Sequence, residues 1–400
     1  MQATLNTSKR IESIDIVRGL AMVIMALDHV RDFFHISANT GDPLDLASTT
    51  PVLYATRWIT HFCAPIFVFL SGASIYLQSL RKTKKELSAF LIKRGLWLIF
   101  AEFVIISFAW TFDPLLHVIV MQVIWAIGIS MVLLGLLIHL PYRFILVLGI
   151  IIVFGHNLLD IPESAPGFKP NFWWDLFHTG FFKVYTISPN HFLLMIYPFV
   201  AWTGLMLLGY CAGILFTAKF SSAQRRKILY YTGFGLIALF IVVRFINSYG
   251  DPFPWSQQKN GLYTFLSFMK VHKYPPSLLY ICITIGPALV LLAFLEDIKN
   301  RFTNIMLVYG RTAFFYYILH FYFIHITAAI LFFINGKHTM AEAIESMRKL
   351  PFLFVFPGEG LTLLGVYGIW LALIIALYPL CRRYDRYKTN HKEKWWLRYL

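Results

Sequence analysis

The stretch RGLAMVIMALDHVRDFFH, residues 18–35, starts as a membrane helix and then breaks the rule that makes one. From Gly19 to Leu27 every residue suits hydrocarbon. Asp28, His29, Arg31 and Asp32 then arrive where the apolar run should continue. On a regular helix Arg18 and His29, eleven residues apart, lie within about 20° of one face and about 16 Å apart along the axis. Met22 and Met25 complete that stripe. With Arg18 at one boundary of a hydrocarbon core about 30 Å thick, His29 falls near its middle. A single charge at that depth costs about 3 kcal/mol on insertion scales, so four together must face protein or water. One reading is a structural knot, Asp28 with Arg31 at i,i+3. The other is a hydrophilic site inside the membrane, where His29 takes and returns a proton near neutral pH and a neighbouring carboxylate, Asp28 or Asp32, orients it. The functional reading is the stronger, because the cluster is too rich in charge for a knot alone.

The rest of the chain agrees with a membrane setting. Of its 400 residues 58% are hydrophobic and 14% charged, against about 25% charged in an average soluble domain. Mean hydropathy is +0.64. The net charge of +15 comes from basic residues scattered over short connections between apolar segments. That distribution argues for membrane topology and against a nucleic-acid groove.

The expected architecture is all-α: a single-domain polytopic helical bundle over residues 1–400 with about ten spans. Their approximate limits are 16–36, 60–80, 95–112, 117–138, 143–160, 192–216, 228–247, 276–295, 305–333 and 361–381. The basic stretches RKTKKELSAFLIKR, SSAQRRK, KNR and RRYDRYKTNHKEKWWLR all fall on one side of such a bundle. That side is cytoplasmic by the positive-inside rule, which places both termini inside. The long opposite connections are rich in Trp, Phe, Pro and Gly. Cys63, Cys211, Cys282 and Cys381 have neither CxxC spacing nor histidines at ligand spacing, so no disulfide framework and no metal site is expected. The N-terminal run is broken by charge, so it is expected to be retained.

Other spans supply candidate partners. The second opens RWITHFCAPIFVFLSGAS, with Trp58 and His61 at its start. Pro65 cannot donate to the His61 carbonyl, which needs another partner inside a membrane. The run Ser71–Ser74 fits close helix packing. Lys93 and Arg94 open the third span as positive-inside anchors or, beside Arg18, as phosphate ligands. Arg311, His320 and His325 lie along the ninth span. Arg311 and His320, nine residues apart, point to opposite faces of a continuous helix. Arg244 ends the seventh span, and His272, Lys273 and Tyr274 stand at the mouth of the eighth, where they suit a polar or anionic acceptor.

Taken in order, RIESIDIVRGLAMVIMALDHVRDFF, RWITHFCAPIFVFLSG, RGLWLIF, QVIWAIGISM, KYPPSLLY and YGRTAFFYYILHFYFIH resemble bacterial relatives of heparan-α-glucosaminide N-acetyltransferase, from Arg10 to about His325. The spacing of Arg18 and His29 also resembles the first span of the wider transmembrane acyltransferase superfamily. The resemblance implies acetyl-CoA (or another acyl-CoA) entering from the cytoplasm, a sugar or glycan acceptor from the other side of a bacterial inner membrane, and a homodimer. It implies His29 as base and Arg94, with Lys93, as coenzyme ligands. The lysosomal member has Asn at the position matching His29 and its proposed catalytic histidine in the following loop, so His35 and His61 stand beside His29 as candidates.

The combined expectation is acyl transfer without metal. His29 is the base, with Asp28, Asp32 and His61 in the catalytic group. Arg18, Lys93, Arg94 and Arg311 hold the coenzyme, and Arg31, His35, Trp58, Arg244, Lys273 and Tyr274 face the acceptor. The competing class is a proton-coupled transporter or flippase of a sugar or glycan, since intramembrane Asp, His and Arg serve transport equally well. The lack of a visible inverted repeat counts against it.

Overall fold

The structure is a computed structural model that describes residues 11–398. Both chain ends, with the expected placement of the termini and Arg10, lie outside the described residues. The fold is a mostly helical bundle: α1 (Glu12–Phe34), α2 (Pro51–Ser79), α3 (Lys84–Ala101), α4 (Val123–Leu137), α5 (Tyr142–Glu163), α6 (Val200–Phe216), α7 (Ser222–Ile246), α8 (Leu278–Phe294), α9 (Arg301–Arg311), α10 (Ala313–Asn335) and α11 (Leu363–Asn390). Five of these (α2, α5, α7, α10 and α11) are long and apolar enough to cross a membrane, and α4, α6 and α8 are shorter apolar helices. Their starts carry ordinary signals. Thr83 with Glu86, Ser221 with Gln224 and Asn300 with Thr303 form capping boxes, each satisfying otherwise orphaned N–H groups.

The all-α expectation needs correction on the face where α1 ends. The expected spans 117–138 and 192–216 each begin as a strand. β1 (Val118–Met121) runs parallel to β3 (His191–Met195), which pairs antiparallel with β2 (Lys183–Ser188), in the order β1-β3-β2. Short apolar runs rich in β-branched and aromatic residues do not separate strand from helix by periodicity. A second correction concerns the expected span 305–333. It breaks at Thr312 (φ −112°, ψ 23°) into α9 and α10, so the 100° arithmetic linking Arg311 to His320 does not apply across it.

Close backbone approach sets the position of α1. A Cβ on Gly19 would stand 1.8 Å from the Met306 carbonyl oxygen, and one on Gly310 would stand 1.7 Å from that of Asp15. Only hydrogen fits at this crossing, so α1 and α9 are locked in one register. Gly72 in the expected packing run likewise meets the Met206 carbonyl of α6, 2.2 Å from where a Cβ would be. Its neighbour Ser74 does more than pack, because its Oγ accepts a hydrogen bond from Arg18 at 2.9 Å.

Candidate active site

A cavity of about 930 Å³ opens where α1 ends. Its floor is the charged end of α1, and alternate strand residues Val118, Val120, Val184, Phe192 and Leu194 give one wall an apolar face. Of the residues singled out in the sequence, Asp28, His29, Arg31, Asp32, His35, His61, Lys273 and Tyr274 all line it.

The α1 charges are paired, and partly by a residue the sequence did not single out. Arg31 Nη2 lies 2.9 Å from Asp28 Oδ1 and 2.5 Å from Asp32 Oδ1. Arg57 of α2 closes the cluster at 3.0 Å from Asp28 Oδ2 and donates to Thr60 Oγ1 at 2.9 Å. The structural reading of Asp28 with Arg31 is therefore present inside the candidate site. The expected orientation of His29 by Asp28 or Asp32 is replaced: His29 Nδ1 meets His320 Nε2 of α10 at 2.7 Å. The His29 ring stacks on Phe321 with centroids 4.3 Å apart and meets Trp110 edge-on at 5.4 Å. His320 lies 291 residues from His29 in the chain.

His61 is buried, and its carbonyl, freed by Pro65, accepts from the Tyr280 hydroxyl at 2.7 Å. His35 ends α1 with its Nδ1 against the Ser37 hydroxyl at 2.8 Å. Lys273 is buried beneath the rings of Tyr274 and Tyr197, with Nζ 5.0 and 5.8 Å from their centroids. Burial alone pushes the Tyr274 hydroxyl up in pKa, but Lys273 and Arg57 more than offset it and hold the group below the ordinary tyrosine value. Burial keeps the neighbouring His272 below the ordinary imidazole value, against the pull of Asp251.

Two expected acceptor residues are structural. The fully buried Arg244 donates to the carbonyls of Phe268 (2.9 Å), Phe253 (3.0 Å), Ser267 (3.1 Å) and Lys270 (2.5 Å), which consumes its fork in tying down the 253–270 connection. Trp58 donates its indole N–H to the Met269 carbonyl at 3.0 Å and is not part of the cavity wall. His325 is held between the carbonyls of Ala109 and Leu353. No metal-ligand spacing shows in the sequence, yet Asp160, Glu163 and His178 bring ligand atoms within 4.8 Å of one another. His178 Nδ1 meets Glu163 Oε1 at 2.7 Å, and Asn157 donates to Asp160 at 2.7 Å.

The expected coenzyme residues gather at the other end of α1. Arg18 pairs with Asp15 at 3.1 Å. Arg311 follows Gly310 at the α1–α9 crossing and lies 3.8 Å from Asp385 of α11. Arg94 of α3 is within electrostatic reach of Tyr384, which stacks on Phe315 at 4.2 Å. Lys93 is exposed. The Arg311 Nε and the Tyr384 hydroxyl are buried with no hydrogen-bond partner among the described residues.

Residues 10–243 match the family model of the heparan-alpha-glucosaminide N-acetyltransferase catalytic domain. The chain belongs to this family. Its membership, with five membrane-length apolar helices, makes it an integral membrane protein of an acetyltransferase family. No curated protein matches the chain. The segment shared with the heparan-alpha-glucosaminide N-acetyltransferase family carries α1, Arg57, His61 and Arg94, while Lys273, Tyr274, Arg311 and His320 lie beyond it.

Proposed function

We propose that this protein moves an acetyl group from acetyl-CoA to an amino sugar or glycan acceptor, with His29 as general base. The face where α1 begins is cytoplasmic and the cavity opens on the opposite side of a bacterial cytoplasmic membrane. About ten spans and both termini inside, all in one domain, are consistent with the basic connections on the α1-start side. Arg18, Arg94 and Arg311 bind the coenzyme phosphates, a reading supported by the unpartnered Arg311 Nε and Tyr384 hydroxyl at that end. The acceptor sits in the cavity against Lys273 and Tyr274.

The observation that carries this reading is the setting of His29. Its carboxylate neighbours are neutralised by Arg31 and Arg57, and its ring is fixed by stacking and open to the cavity, which leaves the imidazole as the proton carrier. As the acceptor nitrogen or oxygen forms its bond to the acyl carbon and the C–S bond breaks, the acceptor proton moves to His29. It then goes to the departing thiolate, giving free CoA. The arginine-bound coenzyme and the walled cavity contribute by holding the two reactants in line, which accounts for much of the rate in such transfers.

The test is acetyl-CoA binding to detergent-purified protein. Saturable binding by wild type, weakened at least tenfold in Arg94→Ala and kept in His29→Ala, is the expected result. Absence of binding in monodisperse wild type would turn the assignment to transport.

A further inference from the structure

We propose that His320 is a positioning residue that locks His29 into one tautomer, hydrogen on Nδ1, and thereby makes Nε2 the basic nitrogen. This rests on the assignment of His29 as base, and it adds which atom acts and why.

Two contacts fix the proton positions in sequence. His320 Nδ1 lies 3.2 Å from the Tyr316 carbonyl oxygen, one turn back in α10. A carbonyl only accepts, so this nitrogen carries hydrogen and donates. In a neutral ring the other nitrogen, Nε2, is then a lone pair. That lone pair faces His29 Nδ1 at 2.7 Å. Two lone pairs at this distance repel, so His29 Nδ1 carries the hydrogen and donates it. His29 Nε2 is left as the lone pair. No residue among those described makes a hydrogen bond to it, and the side chain lines the cavity.

The surroundings keep both rings neutral at rest. His320 is fully buried, stacked on Tyr316 with centroids 5.5 Å apart and tilted against Phe321 at 4.3 Å. Asp28, the carboxylate adjacent to His29, is already paired with Arg31 and Arg57. A cation on either ring would have to displace one of these guanidinium groups or remain unpaired in an apolar enclosure, which is costly. A carboxylate could also orient His29, at the cost of another charge within the bundle. An imidazole acceptor does the same work without one.

During transfer the acceptor proton moves to His29 Nε2 while the acyl carbon gains its new bond and releases the thiolate. The ring is then an imidazolium whose Nδ1–H remains donated to His320. Return of the Nε2 proton to the thiolate restores the starting tautomer and yields CoA thiol.

The test has two arms. In protein labelled with 15N-histidine and placed in nanodiscs, the His29 signal, identified by its disappearance in His29→Gln, is expected to show a protonated Nδ1 and an unprotonated Nε2. The opposite tautomer overturns the proposal. This arm needs no turnover, so a wild type that transfers nothing would remove the proposed function and leave the tautomer result standing. In the kinetic arm His320→Phe keeps a ring of similar size but removes the acceptor. The expected loss in kcat is about 100-fold, at the lower end for general-base catalysis, with KM for both substrates within twofold and Tm unchanged. His320→Gln offers an amide oxygen to Nδ1–H and is expected to recover at least a tenth of the wild-type rate. Equal losses in both variants, or losses accompanied by a lowered Tm and raised KM, would show a packing role and overturn it.

Discussion

Arg57 holds Asp28 from α2, 29 residues along the chain, and with Arg31 it turns a largely buried carboxylate into part of a neutral cluster. Removing one partner of a buried pair leaves a charge uncompensated, typically costing about 3–5 kcal/mol. Arg57→Ala is expected to destabilise the protein by about 3 kcal/mol, since Arg31 still holds the other oxygen of Asp28. Adding Asp28→Asn should recover part of that loss, as read by thermal unfolding in detergent. No recovery would mean that the Arg57 contact to Thr60 carries the effect. At this scale the sequence revealed part of what lies on one helix, though not the Arg18–Asp15 pair on the same helix. Arg18, His29 and the Asp28–Arg31 pair follow from helical spacing. Arg57 and His320 do not, because nothing local in RWITHF or FYYILHF points to α1. Arg244 misled for a related reason: a cation at a helix end looks solvent-facing until the 253–270 connection folds over it.

The α1–α9 crossing is where helix packing determines the site. Gly310→Ala forces a methyl group to within 1.7 Å of the Asp15 carbonyl, so α1 must move and carry His29 with it. Lower Tm and loss of transfer are expected together. Gly235→Ala in α7 is the control, because nothing lies within 4 Å of its added methyl and alanine favours helix. It should leave Tm equal or higher, and a fall as large as that of Gly310→Ala would remove the steric explanation. The long apolar helices were legible because a run of about 20 apolar residues has few alternatives. The strands were not, since Val118–Met121 and His191–Met195 flow directly into apolar helices and share their composition. The break at Thr312 was hidden as well, since no proline marks it and Gly310, two residues before it, lies inside α9 where it serves the close crossing with α1.

Across the whole molecule the cavity depends on long connections folding back over the end of α1, and a partly buried histidine, His272, ties one of them down. The His272 backbone N–H and the Ser277 hydroxyl both bond Asp251 at 2.8 Å, and the His272 ring bonds the Tyr274 carbonyl at 2.8 Å. Unfolded, this imidazole binds a proton below about pH 6.5. Folded, it binds one more weakly, because burial outweighs the attraction of Asp251 while Lys270 and His178 oppose charging. Stability is therefore intact above about pH 6.5 and falls as pH drops below it. Tm is expected to decline from pH 7 to pH 5.5, and His272→Gln should make that decline shallower. An unchanged slope would assign the acid sensitivity to other groups. The overall plan, a mostly helical apolar bundle, was legible from composition and from the long apolar runs. The cavity itself was not, because its walls come from the sheet and from connections far apart in the chain.

The most direct measurement is transfer of radiolabelled acetyl from acetyl-CoA to an oligosaccharide ending in glucosamine, by purified wild type and His29→Ala with donor binding measured on the same samples. Wild type should acetylate the sugar, and His29→Ala should fall at least 100-fold while still binding acetyl-CoA. Transfer by His29→Ala at the wild-type rate would contradict His29 as the base. A wild type that binds acetyl-CoA but acetylates neither amino nor hydroxyl sugars would contradict the acceptor.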